Sequence, residues 1–341
     1  MRRSASLLLL LLLLLLGACD ATDRTNVPWT LSQPLSYGPR PTVAAAFDQI
    51  PAAVAHNGKT FLLLWYDKRD SIAPSASSGR RIYGTRIDGT LEVLDPTGVQ
   101  LLDVRDAGLG LVALGDRYLA HHAWRSGGLR TTKLWSIEAD LAFTDPDALL
   151  WPTNDYEHIP RGAATDGRTM LLVLEAQRNG IDVMGVRLEG LRFEADDRGV
   201  HAVPFVIAEG ADDQSEPAVA CNGSLFLVAY RQHVGDQNDQ IELRRVSTDG
   251  RVLDAQPITA PSTGNDNWHA RVASDGKDFL VVWQRIAGDV LAARVSGDGA
   301  LLDAAPMALG QGSDGWPAVA HASGRYLVAW RRDAGANGEI V

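Results

Sequence analysis

Carboxylates and aromatic rings recur together just ahead of a repeated apolar run. One segment holds Asp266, Trp268 and His269, and a later one holds Asp314 and Trp316. Related segments add Asp48, Asp213 and Glu216. Carboxylates accept hydrogen bonds or hold a cation, and an indole ring offers a flat apolar face. Grouped in this way they suit a polar pocket for a cation, a sugar or a basic peptide, with Trp268 and Trp316 as stacking platforms. The competing reading is structural: aspartates cap turns, arginines pair with them between repeats, and the tryptophans pack in the seams.

Chemistry of other kinds finds less support. A GxSxG elbow, an HExxH pair, a GxxxxGK phosphate loop and repeated CxxC pairs are all absent from the sequence. His121 and His122 fall in an expected strand, where neighbours point to opposite faces and chelate one ion poorly. One is expected to be buried and hydrogen-bonded, the other packed between repeats. No cofactor is expected. Calcium is the one ion the loops admit, because Gly235-Asp236-Gln237-Asn238-Asp239 alternates oxygen donors, although it lacks the spacing of an EF-hand. No catalytic residue is assigned, and a non-enzymatic role is preferred.

The elements that must position these residues come from an internal repeat. Six times a short run of small apolar residues and a turn precede a stronger apolar run. Examples are Pro51–Gly58 before Phe61-Leu-Leu-Leu-Trp65, and Pro217–Gly223 before Phe226-Leu-Val-Ala-Tyr230. The anchors are Phe61, Tyr118, Met170, Phe226, Phe279 and Tyr326. A third run follows, as in Arg81–Arg86, Val183–Arg187, Ile241–Arg245 and Val290–Arg294. Asp88-Gly89, Asp249-Gly250 and Asp298-Gly299, with Glu189-Gly190 as a variant, supply tight turns into a fourth run. No helical period is sustained. Four antiparallel strands in each of six units of roughly 50 residues predict a six-bladed β-propeller. The blades are expected near 51–105, 106–157, 158–215, 216–267, 268–315 and 316–341, the last completed by a strand at 41–46.

In such a blade the loops after second strands share one end with the segments between repeats. That end collects the acids above and an outer set of basic residues: Lys68-Arg69, Arg125, Arg178, Arg231, Arg285 and Arg331-Arg332.

The start of the chain is read as a targeting segment. Arg2 and Arg3 precede ten leucines, Leu7–Leu16, and Leu16-Gly17-Ala18-Cys19 resembles a bacterial lipobox. Ten helical residues reach about 15 Å, half a bilayer core. Residues 1–18 are expected to be removed, Cys19 to be lipidated, and 19–40 to form a flexible tether; the alternative is an ordinary signal peptide cut after Ala18. Cys221 is the other cysteine, expected to be a buried, inert thiol. The net charge of −10 argues against nucleic acid as a partner.

The repeats resemble those of uncharacterised bacterial lipoproteins with the tandem pattern PAVAxxGxxFLVxW…IxGxRVxxDGxxLD. The second unit departs most, with His122 at the Trp65 position and Ser136 where the third-strand arginine belongs. The resemblance implies a propeller and carries no general activity. The expectation is therefore a monomeric, lipid-anchored propeller of the cell envelope, periplasmic or on the cell surface. It would bind or scaffold a glycan or an envelope protein. A propeller hydrolase or lyase acting on polysaccharide is the alternative, since a ring of acids offers the carboxylate pairs that such chemistry needs.

Overall fold

A computed structural model describes residues 49–67, 80–104, 109–126, 129–144, 156–178, 186–196, 199–210, 212–235, 238–262, 266–286, 288–312, 317–334 and 337–340. The signal segment, Cys19, the tether and the strand expected at 41–46 lie outside them. The described residues are all-β and contain no helix. Two compact units divide the chain, 1–128 with 132–150 and 129–131 with 151–341.

The first unit carries two four-stranded antiparallel sheets, each in sequential order. One contains β1 (Gln49–His56), β2 (Thr60–Asp67), β3 (Arg80–Asp88) and β4 (Val99–Val104). The other contains β5 (Gly110–Leu114), β6 (Arg117–Ser126), β7 (Leu129–Ile137) and β8 (Phe143–Thr144). Leu62, Leu64, Tyr66 and Ile82 of the first pack against Leu111, Tyr118, Trp135 and Ile137 of the second.

The second unit repeats the plan three times. Its sheets are β9 (Tyr156–Thr165), β10 (Thr169–Arg178), β11 (Arg187–Asp196) and β12 (Gly199–Ala208); then β13 (Gln214–Cys221), β14 (Leu225–Gln232), β15 (Gln240–Ser247) and β16 (Ile258–Thr259); then β17 (Asn267–Ser274), β18 (Phe279–Arg285), β19 (Asp289–Val295) and β20 (Met307–Gln311). Two hairpins follow, β21 (Ala318–Ala322) with β22 (Arg325–Ala329) and β23 (Arg331–Ala334) with β24 (Asn337–Ile340). Apolar seams join successive sheets: Leu171 and Val173 meet Phe226 and Val228, then Leu227 and Ala229 meet Phe279 and Val281. Five of the six anchors, Phe61, Tyr118, Met170, Phe226 and Phe279, are fully buried.

The first hairpin turns explain the Asn-Gly and Asp-Gly dipeptides. Asn57 Oδ1 accepts from the N–H of Lys59 and Thr60, and Asn222 Oδ1 from Ser224 and Leu225. Asp166 and Asp275 do the same in their sheets. The glycine that follows in the first and fourth sheets, Gly58 or Gly223, sits at φ near 90°, which side chains avoid. Asn57 and Asn222 also reach the next sheet, donating to the carbonyls of Asp116 and Lys277.

The arginine and the LD pair of the repeat find each other. Arg86 holds Asp95, Arg245 holds Asp254 and Arg294 holds Asp303. The same arginines reach onward, Arg86 Nη1 to the Ala139 carbonyl and Arg245 Nη1 to that of Gly297. In the second sheet Ser136 takes this place, and its hydroxyl is buried with no hydrogen-bond partner among the described residues.

One strand differs from its expected position. The third strand of the third sheet spans Arg187–Asp196, starting where the expected Val183–Arg187 run ends, and Glu189-Gly190 lies within it and not in a turn. Gly190 pairs with Val173 and Phe205, and Arg192 takes the place that Arg86 and Arg245 hold in their sheets, its Nε donating to the Thr248 carbonyl. The stretch holds two Gly-x-Arg sequences, and the second is the one in register with β10. A Cβ at Gly190 would lie 2.5 Å from the Phe205 ring. Gly190→Ala should therefore cost about 2 kcal/mol in urea unfolding. A wild-type midpoint would mean that Gly190 lies in a tolerant turn.

Candidate functional site

Bulges interrupt the first strands of four sheets, between Pro51 and Ala53, at Arg161, between Ser215 and Ala218, and between Trp268 and Arg271. A bulge re-aims side chains where pairing would otherwise continue. At two of these bulges the chain enters the left-handed region without glycine: Glu216 has φ 53° and His269 φ 58°. Each costs a side-chain-bearing residue on the order of 1–2 kcal/mol. The two strained residues meet. Glu216 Oε2 accepts from the backbone N–H of His269 at 3.0 Å and lies 2.9 Å from His269 Nδ1.

A network extends from this pair. Buried Glu175 accepts from the Glu216 backbone N–H at 2.7 Å and from Arg161 Nη2 at 2.6 Å. Arg231 Nη2 donates to Asp239 Oδ2 at 2.6 Å, and its Nη1 lies 3.7 Å from Glu216 Oε1. Asp239 also takes Trp268 Nε1 at 2.9 Å and pairs with His233 Nδ1 at 2.8 Å. Arg271 donates to the Ala270 carbonyl and faces Glu216 electrostatically.

These contacts fix the charge states. Burial alone would push the Glu216 carboxyl up, but the hydrogen bonds from His269 and the charge of Arg231 outweigh it and hold it below its ordinary value. Asp239 is also held low, burial being outweighed by Arg231, His233 and Trp268. Burial draws the Arg271 guanidinium down to about 10, Arg161 reinforcing this and Glu216 opposing it. At neutral pH the cluster presents carboxylate acceptors beside guanidinium donors.

Of the residues expected from sequence, Glu216, Trp268 and His269 converge here. Trp268 is not an open platform: its N–H is spent on Asp239 and the Arg231 guanidinium lies 4.5 Å from its ring centroid. Asp213 and Asp266 serve the backbone. Asp213 Oδ1 accepts from the Val186 N–H, and the Asp213 and Asp266 carbonyls accept from His233 and Ile286. Asp48, Asp314 and Trp316 lie outside the described residues, as do 236–237 of the loop considered for calcium. Asp239 of that loop is committed to Arg231, His233 and Trp268.

Glu175, Arg161, His233 and Arg271 were not expected at a site, and Arg231 was expected in an outer basic ring. The spacing of Arg231 and Asp239 around one loop was the available signal. Elsewhere, Cys221 is half-buried, and burial pushes its thiol up to about 11.

No family description matches the chain, and no curated protein matches its sequence. Solved structures match its fold. The sialidase of Trypanosoma rangeli in complex with sialic acid has a TM-score of 0.53 at 13% identity, covering 87% of this chain and 54% of that one. The same enzyme with the inhibitor DANA gives 0.50 at 11%, covering 85% and 53%. A thermostable family-43 glycoside hydrolase matches at 0.40 and 12%, covering 77% and 94%. The chain thus spans about half the length of the sialidase. The likeness defines a propeller-like all-β fold.

Proposed function

We propose that the chain is a six-bladed β-propeller, held at the bacterial cell envelope by a lipid on Cys19, that binds a saccharide through Glu216, His269, Arg231 and Asp239. Residues 41–46 complete the sixth blade in this reading, and the protein acts as a monomeric binding module. The observation that carries the site is the hydrogen-bonded pair of left-handed, non-glycine residues on neighbouring first strands. Strain of this kind persists where the surrounding structure enforces it, commonly at ligand sites. Each sugar hydroxyl both donates and accepts, so neighbouring hydroxyls complement alternating carboxylates and guanidinium groups.

Repetition supports the ring. Leu327 is 47% exposed at the position where Leu62 and Leu227 are fully buried by the next sheet, leaving an apolar face that closure would cover. A second reading, a propeller hydrolase or lyase acting on polysaccharide, is favoured by the fold likeness to a sialidase. Glycoside hydrolysis usually needs one carboxyl kept protonated. Glu216 and Asp239 are both held the other way, so these two carboxyls do not supply the acid that reading needs.

The test is a glycan and peptidoglycan binding screen with the whole chain, with and without calcium, alongside Glu216→Gln. Retention of a glycan that weakens about tenfold in the variant, with melting little changed, is the expected result. Release of new reducing ends would establish the second reading. Failure to retain any glycan would remove the binding site.

A further inference from the structure

The charged groups of the cluster are already engaged with one another. Arg161 pairs with Glu175, Arg231 pairs with Asp239 and approaches Glu216, and Glu216 also holds His269. Recognition of a carboxylate or sulfate by arginine draws on a guanidinium fork that can present two parallel donors to the ligand. Here one fork arm of Arg161 and one of Arg231 are already spent, at 2.6 Å each. Arg231 also lies against the Trp268 ring, which restricts its reorientation. An incoming anion would find only the arms left over, each beside a protein carboxylate.

We infer that the site takes a neutral, hydroxyl-rich saccharide and discriminates against acidic sugars. This deepens the binding reading above and rests on it. Neutral hydroxyls can share the outward lone pairs of Glu216 and the remaining N–H groups without breaking an ion pair. A sugar carboxylate meets Glu175, Glu216 and Asp239 at close range, and like charges brought together in a partly buried site repel strongly. Glu175 then has a definite part. By holding Arg161 and the Glu216 N–H it keeps one guanidinium from an anion and fixes the strained backbone.

The experiment uses sugars differing in a single charge. Galacto-oligosaccharides are compared with oligogalacturonates of the same length, and lactose with 3′-sialyllactose, by titration calorimetry on the whole chain. Neutral members should bind at least about tenfold more tightly than their acidic counterparts at low salt, the gap narrowing as salt is added. Glu175→Gln, which frees Arg161, should raise affinity for the acidic members relative to the neutral ones. Equal or tighter binding of acidic sugars by the wild type would overturn the inference while leaving a saccharide site in place. An unchanged preference in a folded Glu175→Gln variant would also count against it. If both series fail, and the glycan screen fails with them, the binding reading itself falls.

Discussion

Acidification from pH 7 to pH 4 should weaken the first unit steeply, with the loss centred on β6. His121 and His122 are both buried there. Burial holds the His121 imidazole down to about 4; burial, Lys133 and His121 hold His122 down to about 3. His122 stacks on Trp135 with ring centroids 4.4 Å apart, and His121 Nδ1 has no hydrogen-bond partner among the described residues. Above about pH 6.5 both rings are neutral in the folded and unfolded chains, so neither affects stability. Below that the unfolded chain takes up protons that the folded chain refuses. The penalty grows until the folded rings titrate, near pH 4 for His121 and pH 3 for His122. His121 alone then accounts for about 3 kcal/mol by linkage, a large part of ordinary domain stability. Hydrogen exchange at β6 and β7 should accelerate over this range far more than at β14 and β18. His122→Phe, which keeps the ring against Trp135, should flatten the dependence. Equal acid sensitivity in both regions, or a variant as steep as the wild type, would mean that these histidines are not the cause.

Breaking the latch in the fourth sheet should be nearly as damaging. Asp254 accepts from the Arg245 backbone N–H at 2.7 Å, from Nε at 3.0 Å and from Nη2 at 2.6 Å. The Arg245 side chain is 19% exposed, and that of Asp254 8%. Asp254→Ala strips a guanidinium of its partner where water reaches it poorly, at a cost of about 3 kcal/mol. It also loosens the donation to Gly297 that joins this sheet to the next. Arg294, at the same position one sheet later, is 53% exposed, so Asp303→Ala should leave the unfolding midpoint near the wild-type value. The contrast separates a structural latch from a surface pair of the same residue types at the same spacing. Equal effects in the two variants would show that burial does not set the strength of the latch. Arg245→Met combined with Asp254→Ala should recover part of the loss, because no charge is then left alone.

Much of the fold was legible because the repeat writes each strand in apolar residues and each first turn in Asn, Asp and Gly. Phe226, Phe279 and Phe61 announce second strands, and side-chain acceptors at Asn222 and Asp275 close the turns before two of them. The latch was half legible. Its arginine and aspartate stand nine residues apart, and strand register alone makes them neighbours. The third sheet misled because Gly185-Val186-Arg187 and Gly190-Leu191-Arg192 fit the repeat equally well, and loop length is invisible to a periodic pattern. The site was legible only in part. Glu216 and His269 stood out as an acid and an imidazole, but neither residue type signals a left-handed backbone. Their meeting depends on bulges in two separate sheets. Glu175 and Arg161 sit on strands of a third sheet, with nothing local to mark them.

The most direct measurement is a crystal structure of the whole chain with the neutral oligosaccharide that binds it best. The sugar should lie within hydrogen-bonding distance of Glu216 and His269, with Arg231 and Asp239 beside it and the two backbones still left-handed. A sugar seated on the Asn-Gly turns at the opposite ends of the sheets would contradict the assignment. So would Glu216 and His269 relaxed to ordinary strand geometry and out of contact with each other.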